Sequence, residues 1–355
     1  MIERLKLKNF TAFKDLSIDF SPKINVIIGE NGTGKTHLLK AAYTLCAGSR
    51  ALKDQAEVCD DDIKTVLSNL LLRTFLPIDD KFASMRHYDA EIGSAEMIAD
   101  FISDKKIHVK FHTNSKSVNV VENNSYERYS WEPIFIPTKE VLSFMKGFNS
   151  LYEKYELSFD KTYQDICLLL DLPEARSEGL PEKSKWAMEE IEKVCGGRFV
   201  FHGGGKVTFK TAKSQYSANS IAEGFRKIGM LSRLLETGAL KPGSSGPLFW
   251  DEPEANLNPR LLKLLVQILL ELSRNGQQII LATHDYVLLK WFDLLMDKDL
   301  DDDVRFHTLC HDAEFGDVSV NSVDEYQNIG PNAIASTFSD LYDSEINRSL
   351  GGTKQ

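Results

Sequence analysis

The 355-residue chain has no uninterrupted apolar stretch long enough to cross a bilayer, and its opening Met1-Ile2-Glu3-Arg4 runs into a strand pattern instead of the apolar core of a signal peptide. A cytoplasmic protein with no membrane partner is therefore expected. Cysteine is scarce: Cys46, Cys59, Cys167, Cys195 and Cys310 are odd in number and form no C-x-x-C pair, so neither a disulfide framework nor a zinc site is indicated. Positive charge is also short. Against 42 Lys and Arg stand 52 Asp and Glu, a formal net charge of -10, so a nucleic-acid surface would have to gather its lysines on one face. The balance favours a protein partner over a nucleic acid. No internal repeat and no sustained heptad is present, which excludes a solenoid and a long coiled coil. With hydrophobic residues at 42% and charged residues at 26%, what remains is ordinary globular material, enough for one large or two modest domains.

What is present begins with Ile24-Asn25-Val26-Ile27-Ile28, followed by Gly29-Glu30-Asn31-Gly32-Thr33-Gly34-Lys35-Thr36. The second segment satisfies G-x-x-x-x-G-K-[ST] at every specified position, with a β-branched run before it and the helix-prone His37-Leu38-Leu39-Lys40-Ala41-Ala42 after it. The glycines free the backbone so that successive N–H groups of Gly29, Asn31, Gly32, Thr33 and Gly34 point into one concavity sized for phosphate oxygens. The helix that follows offers its positive end to the same anion. Lys35 then reaches the β/γ-phosphates of a nucleoside triphosphate, and the Thr36 hydroxyl takes one position on magnesium.

A second acidic motif stands late in the chain, at Pro247-Leu248-Phe249-Trp250-Asp251-Glu252-Pro253-Glu254-Ala255-Asn256-Leu257-Asn258-Pro259. An apolar run ending in two acids describes a buried strand that delivers carboxylates at its C-terminal end, where open α/β sheets bind ligands. Asp251 is placed for the magnesium shell, and Glu252 for orienting and deprotonating an attacking water. Farther on, Gln278-Ile279-Ile280-Leu281-Ala282-Thr283-His284-Asp285 is another apolar run with a polar end. Neighbouring parallel strands bring their ends to one crevice, where His284 reads the γ-phosphate or the water.

Together these motifs, with the Asn-Leu-Asn-Pro after the acidic pair, resemble the ATP-binding-cassette ATPases, in the soluble branch that holds RecF, the SMC proteins and the ATPase half of overcoming-lysogenisation-defect nucleases. Ile2-Glu3-Arg4-Leu5-Lys6-Leu7-Lys8-Asn9-Phe10 and Leu16-Ser17-Ile18-Asp19-Phe20 look like the first β-hairpin of that branch. The likeness covers about residues 1 to 47 and 215 to 295. It implies an α/β P-loop fold: an ABC-type head with a mixed sheet flanked by helices, an N-terminal antiparallel hairpin and an inserted helical subdomain. It also implies ATP and Mg2+ as cofactors, Asp251 as the Walker B aspartate, Glu252 and His284 as catalytic residues, and Ala255 to Pro259 as the loop that meets a partner chain. Two heads of this family sandwich ATP between the P-loop of one chain and the signature loop of the other, so a homodimer or higher homo-oligomer is expected.

At the signature position stands Ser220-Ile221-Ala222-Glu223-Gly224-Phe225-Arg226-Lys227, a poor copy of Leu-Ser-Gly-Gly-Gln. Ser220 and Gly224 are the candidate nucleotide contacts, with Arg226 and Lys227 supplying positive charge; slow turnover is expected. The family also links its magnesium site to the helical arm through a Gln on the strand after the first insertion. Glu132 to Glu140 has no Gln, and Thr138 and Lys139 are the substitutes.

Along the rest of the chain, a helix is expected from Lys35 to about Leu45, broken at Gly48-Ser49-Arg50, with further helices at Ile63 to Leu72 and Ala95 to Ile102. Hairpins are expected at Ile107 to Val121, at Arg198 to Lys210 around Gly203-Gly204-Gly205, and at Val304 to Val320. The pattern predicts a compact helical subdomain over Glu140 to Val194, a signature helix over 221 to 238, and a closing helix from Ala333 to Ile346. The expected organisation is an N-terminal lobe over 1–50, an inserted region over 51–214, a C-terminal lobe over 215–295 and a final hairpin and helix over 296–355.

The family branch implies two kinds of function. One is an ATPase that closes around ATP and controls a partner effector, such as the toxins or nucleases that stand-alone ATPases of this branch accompany in bacterial anti-phage systems. The other is a DNA-repair clamp or nuclease. About sixty residues follow the His284 region, short for a further nuclease domain. The run Asp297 to Asp303, with His307 and His311, gives no spaced metal constellation. The first kind is favoured.

Overall fold

A computed structural model of the chain describes residues 1–55, 57–88, 93–129, 131–155, 157–176, 180–311, 317–330 and 333–349. The expected loose end Gly351 to Gln355 and the turn of the last hairpin lie outside them. The organising element is β3 (Ile24–Gly29), whose six residues are all buried. Parallel neighbours flank it: β12 (Ile279–Thr283) on one side and β13 (Val304–His311) on the other. Beyond β12 lies β11 (Leu248–Asp251), then β7 (Ile134–Ile136) at the edge; β14 (Val318–Val323) closes the opposite edge antiparallel to β13. Strands buried on both faces need continuous apolar runs, which is why these show no polar alternation. Their period-two geometry still divides the residues: Val26, Ile28, Leu248, Trp250 and Leu281 enter one core, whereas Ile27, Phe249, Ile280 and Ala282 enter the other.

The second of these cores is filled by α1 (Lys35–Leu52), which packs against both the central sheet and a five-stranded antiparallel sheet. That sheet has the order β2 (Phe13–Asp19), β1 (Ile2–Phe10), β4 (Ala95–Phe101), β5 (Lys105–Phe111), β6 (Asn119–Asn124). Being covered on several sides, α1 is buried almost all round, including Leu38, Leu39, Ala41, Ala42, Leu45 and Cys46. It does not break at Gly48-Ser49-Arg50 as expected but continues to Leu52. A Cβ on Gly48 would lie 2.4 Å from the Leu67 side chain and 2.5 Å from the Tyr126 hydroxyl, so this glycine serves the close approach of α2 (Asp60–Phe75) and of Tyr126. Its helix penalty, about 1 kcal/mol, is outweighed by that packing.

Of residues Ala95 to Ile102, expected as a helix, Ala95–Phe101 form strand β4. Ala95, Met97, Ala99 and Phe101 are fully buried and alternate with half-exposed residues, and the strand pairs antiparallel with β1 on one side and β5 on the other. Ala, Glu and Met favour a helix locally; pairing with β1, far away in sequence, and with β5, the next strand of the chain, overrides that preference. On the outer face of this sheet opposite charges alternate from strand to strand. Arg4 lies between Asp19 and Asp100, Lys8 between Asp15 and Glu96, and Glu96 faces Lys110.

The other core joins the central sheet to α3 (Phe148–Lys154), α4 (Lys161–Leu170), α5 (Glu182–Cys195), α6 (Glu223–Glu236), α7 (Pro259–Arg274) and α8 (Tyr286–Leu295). A small sheet of β8 (Arg198–Phe201), β9 (Val207–Lys210) and β10 (Gln215–Ser217) precedes α6. The stretches 51–214 and 296–355 thus contribute strands to the two larger sheets. The closing helix α9 (Ala333–Ser349) stacks Phe338 on Tyr286 of α8 at 4.3 Å. No helix among the described residues is long and apolar enough to cross a membrane.

A buried polar clamp ties the sheets together at the end opposite the P-loop. The Gln278 side chain accepts from the Ile2 N–H at 3.0 Å and donates to the carbonyls of Ile2 (2.8 Å) and Ser21 (2.9 Å). Asn25 donates to Ser21 O at 2.9 Å, accepts from the Ser21 N–H at 2.7 Å and lies 3.2 Å from Nε2 of the buried His307.

Candidate functional site

The C-terminal ends of β3, β11 and β12 open on one side of the central sheet, as their parallel register requires. From β3 the chain passes through Glu30 to Gly34 into α1. Gly32 and Gly34 have φ of 89° and 85°, the left-handed region that glycine enters without steric cost. A Cβ on Gly34 would meet the Phe13 ring at 2.8 Å, so the β1–β2 turn presses the loop into place. Asn31, Gly32, Gly34, Lys35, Thr36 and Glu252 line one cavity of about 500 Å³.

Lys35 is buried, and its Nζ donates to the carbonyls of Gly29 at 2.7 Å and Glu30 at 3.0 Å. Burial lowers its pKa, while the negative charges of Glu252, Asp251 and Glu254 oppose that shift. Thr36 Oγ1 donates to Asp251 Oδ2 at 2.9 Å, and Thr138 Oγ1 donates to the same oxygen at 2.9 Å. Asp251 Oδ1 is buried and has no partner. Burial raises the Asp251 pKa against the lowering effect of the two hydroxyls. Thr138 therefore stands on the Asp251 carboxylate, whereas Lys139 is exposed.

Glu252 has φ of 47°, a left-handed conformation that costs a residue with a side chain on the order of 1–3 kcal/mol and recurs at functional sites. Its N–H donates to Ala282 O at 2.9 Å, continuing the pairing of β11 with β12 one residue past the strand. The turn aims its carboxylate at His284, whose Nδ1 lies 3.2 Å from Glu252 Oε1. The same ring nitrogen lies 3.6 Å from Glu254 Oε1. Glu254 is buried; its Oε1 accepts from Thr283 Oγ1 at 2.7 Å and from the His284 N–H at 3.2 Å, while Oε2 has no partner. Burial raises its pKa. Sequence reasoning passed over this residue, although the third acid of Asp251-Glu252-Pro253-Glu254 was its signal.

The structure brings Lys35, Thr36, Asp251, Glu252 and His284 to one mouth. It does not bring Ser220 and Gly224 there: Ser220 is exposed and Gly224 buried, and neither lines the cavity. A Cβ on Gly224 would lie 2.4 Å from Asn256 O, so this glycine lets α6 approach the loop after β11. Arg226 and Lys227, expected to supply positive charge at the signature surface, instead turn inward. Arg226 Nε donates to Glu140 Oε1 at 2.8 Å, and Lys227, 1% exposed, donates to Thr138 O at 2.9 Å and to Glu252 O. Buried carbonyls and a buried carboxylate beneath α6 hold them there. In the loop expected to meet a partner chain, Asn256, Asn258 and Pro259 are exposed.

Residues 1–165 match a family model described as an AAA ATPase domain, and residues 125–290 match one described as an AAA domain, putative AbiEii toxin, Type IV TA system. The chain is similar to the DNA replication and repair protein RecF of Ligilactobacillus salivarius, 30% identical over 98 residues, which is 25% of this chain and 26% of that one. RecF of Lactococcus lactis is 29% identical over 111 residues, 30% of this chain and 31% of that one. The chain thus matches less than a third of the length of these curated relatives. Among solved structures, the SMC head bound to the C-winged helix domain of ScpA superposes with a TM-score of 0.53 at 16% identity, covering 91% of this chain and 97% of that one. The SMC head domain of Thermotoga maritima gives 0.51 at 13%, covering 91% and 98%. At these identities the likeness establishes the fold, that of the SMC head.

Proposed function

We propose, from the premise that this chain is an ABC-type ATPase of the RecF and SMC branch, that it binds and hydrolyses ATP, assembles as a homodimer or larger homo-oligomer around the nucleotide, and thereby controls a partner protein. The observation that carries the reading is the Asp251 carboxylate. It is buried at a strand end, touched by the hydroxyls of Thr36 and Thr138 and left with one oxygen unpartnered, beside both Lys35 and Glu252.

That donor set, hard oxygens from a carboxylate and a hydroxyl, fits magnesium. Thr36 and Asp251 would hold the ion, which when bound neutralises charge on the phosphates. The backbone amides of the Gly29 to Gly34 loop and Lys35 hold the triphosphate. Glu252 takes the proton of the attacking water, and His284, held between Glu252 and Glu254, orients water and γ-phosphate. Ser220, exposed and away from the P-loop of its own chain, serves the nucleotide of a second chain, and Gly224 seats the helix that carries the contact.

For the partner, we favour a protein effector such as a toxin or nuclease, in cytoplasmic anti-phage defence. Support comes from the net charge of -10, from the alternating charges on the outer face of the antiparallel sheet, and from the toxin–antitoxin description of the family that matches residues 125–290. Steady-state hydrolysis tests the reading: Lys35→Ala loses both ATP binding and turnover, and Glu252→Gln keeps binding but loses turnover. Full turnover by Glu252→Gln would contradict it. Tight, salt-sensitive binding of duplex DNA by the lone protein would favour a repair role instead.

A further inference from the structure

Lys227 lies on α6, the helix that begins three residues after Ser220 and carries Gly224. Its ammonium is fully buried, and burial lowers its pKa to about 8 although Glu254, Glu252 and Asp251 all act to raise it. A cation this deep must be well satisfied to stay charged. Its Nζ donates to two carbonyls that belong to the reaction centre of its own chain: Thr138 O, whose residue also bonds the Asp251 carboxylate, and Glu252 O, in the left-handed peptide that aims the Glu252 side chain. Next to it, the buried Arg226–Glu140 pair fixes the same helix to the same segment after β7.

We propose that Lys227 is a positioning residue that couples α6 to hydrolysis within its own chain. By holding the carbonyls of Thr138 and Glu252 at once, it makes the orientation of the Glu252 carboxylate depend on where α6 sits. Two further groups make the link stiff: Gly224 seats α6 against Asn256 O, and Arg226 holds Glu140. When the Ser220 end of α6 engages a nucleotide held by another chain, the shift passes through Lys227 to the carboxylate that serves this chain's own ATP. One site's occupancy thus sets the other's rate. The inference rests on the proposed ATP sandwich; the coupling itself runs inside one polypeptide.

Lys227→Met tests it, since methionine fills the same slot without a donor. ATP affinity, read by titration of a fluorescent ATP analogue, stays within about twofold, because neither carbonyl belongs to the P-loop. Turnover falls roughly tenfold or more, as expected when a reacting group is misplaced by a fraction of an ångström to an ångström. Lys227→Gln, which keeps an amide NH2 donor, recovers part of the loss and carries the test should the methionine variant fail to bind ATP. Mixed assemblies then locate the effect. Lys227→Met chains mixed with Glu252→Gln chains are inactive if Lys227 serves its own Glu252. They retain about half the wild-type activity per mixed pair if it acts only on the neighbouring chain's nucleotide, which overturns the inference. Turnover of Lys227→Met within twofold of wild type also overturns it. The sandwich is checked separately by ATP-dependent association of Glu252→Gln alone, whose absence would fault the proposed function while the single-chain turnover loss would still report on Lys227.

Discussion

Thr138→Val removes one hydroxyl and little else. Thr138 Oγ1 gives Asp251 Oδ2 one of its two hydrogen bonds, at 2.9 Å, and Oδ1 of the same carboxylate has no partner to compensate. A hydrogen bond to a charged group is worth about 1.5–3 kcal/mol, and each 1.4 kcal/mol is a factor of ten, so the expected loss is roughly tenfold to hundredfold. It should appear where Asp251 acts, in the magnesium concentration needed for half-maximal ATP hydrolysis and in turnover at saturating ATP. Affinity for ATP without magnesium should be nearly unchanged, because the backbone stays in place and the Thr138 carbonyl still accepts from Lys227. Thr138→Ser, which keeps the hydroxyl, should behave like the parent. If valine leaves magnesium dependence and turnover untouched, Thr138 does not position Asp251, and the assignment of the segment after β7 to the site is wrong.

Gln278→Leu strips three hydrogen bonds from buried backbone atoms of Ile2 and Ser21. Ser21 O keeps its bond from Asn25, so the N–H and C=O of Ile2 are orphaned; at about 1–2 kcal/mol each the loss is about 2–4 kcal/mol, a fall in melting temperature of about 3–5 °C by calorimetry, and a fall under about 1 °C would refute the clamp. His307 responds to pH. Burial, reinforced by Arg305, lowers its pKa from 6.5 to about 3, so between those values the unfolded chain holds a proton that the folded chain refuses. Stability from this group is complete above pH 6.5 and declines as pH falls toward 3, by at most about 5 kcal/mol. Urea unfolding of His307→Gln should show a flatter curve over that window than the parent, and parallel curves would contradict the burial argument.

The strand, loop and helix around Lys35, the acidic pair at Asp251 and the strand ending at His284 were all readable in the chain, because a phosphate cradle and a doubly buried parallel strand each impose a local residue pattern. The strand β4 was not readable as one. Ala95, Glu96, Met97 and Ala99 favour a helix in isolation, and the strand conformation comes from pairing with β1, far away in sequence, and with β5, which follows after a short turn. Gly48 was misleading for a related reason, since a glycine within a helix looks like a stop until Leu67 and Tyr126 are seen pressing on it. Lys227 and Arg226 resembled surface charge at a helix start, and only the depth of α6 shows that carbonyls and Glu140 wait beneath them. Glu254 was visible as a letter, but its grip on Thr283 and His284 depends on the juxtaposition of β11 and β12.

The central claim is that ATP joins one chain to another through P-loop and signature surface. The direct measurement is the molar mass of the Glu252→Gln protein by light scattering, with and without Mg·ATP. The account predicts at least a doubling of mass with nucleotide that Lys35→Ala, added in the same chain, abolishes. A mass equal to one chain under both conditions, in protein shown to bind ATP, would contradict it.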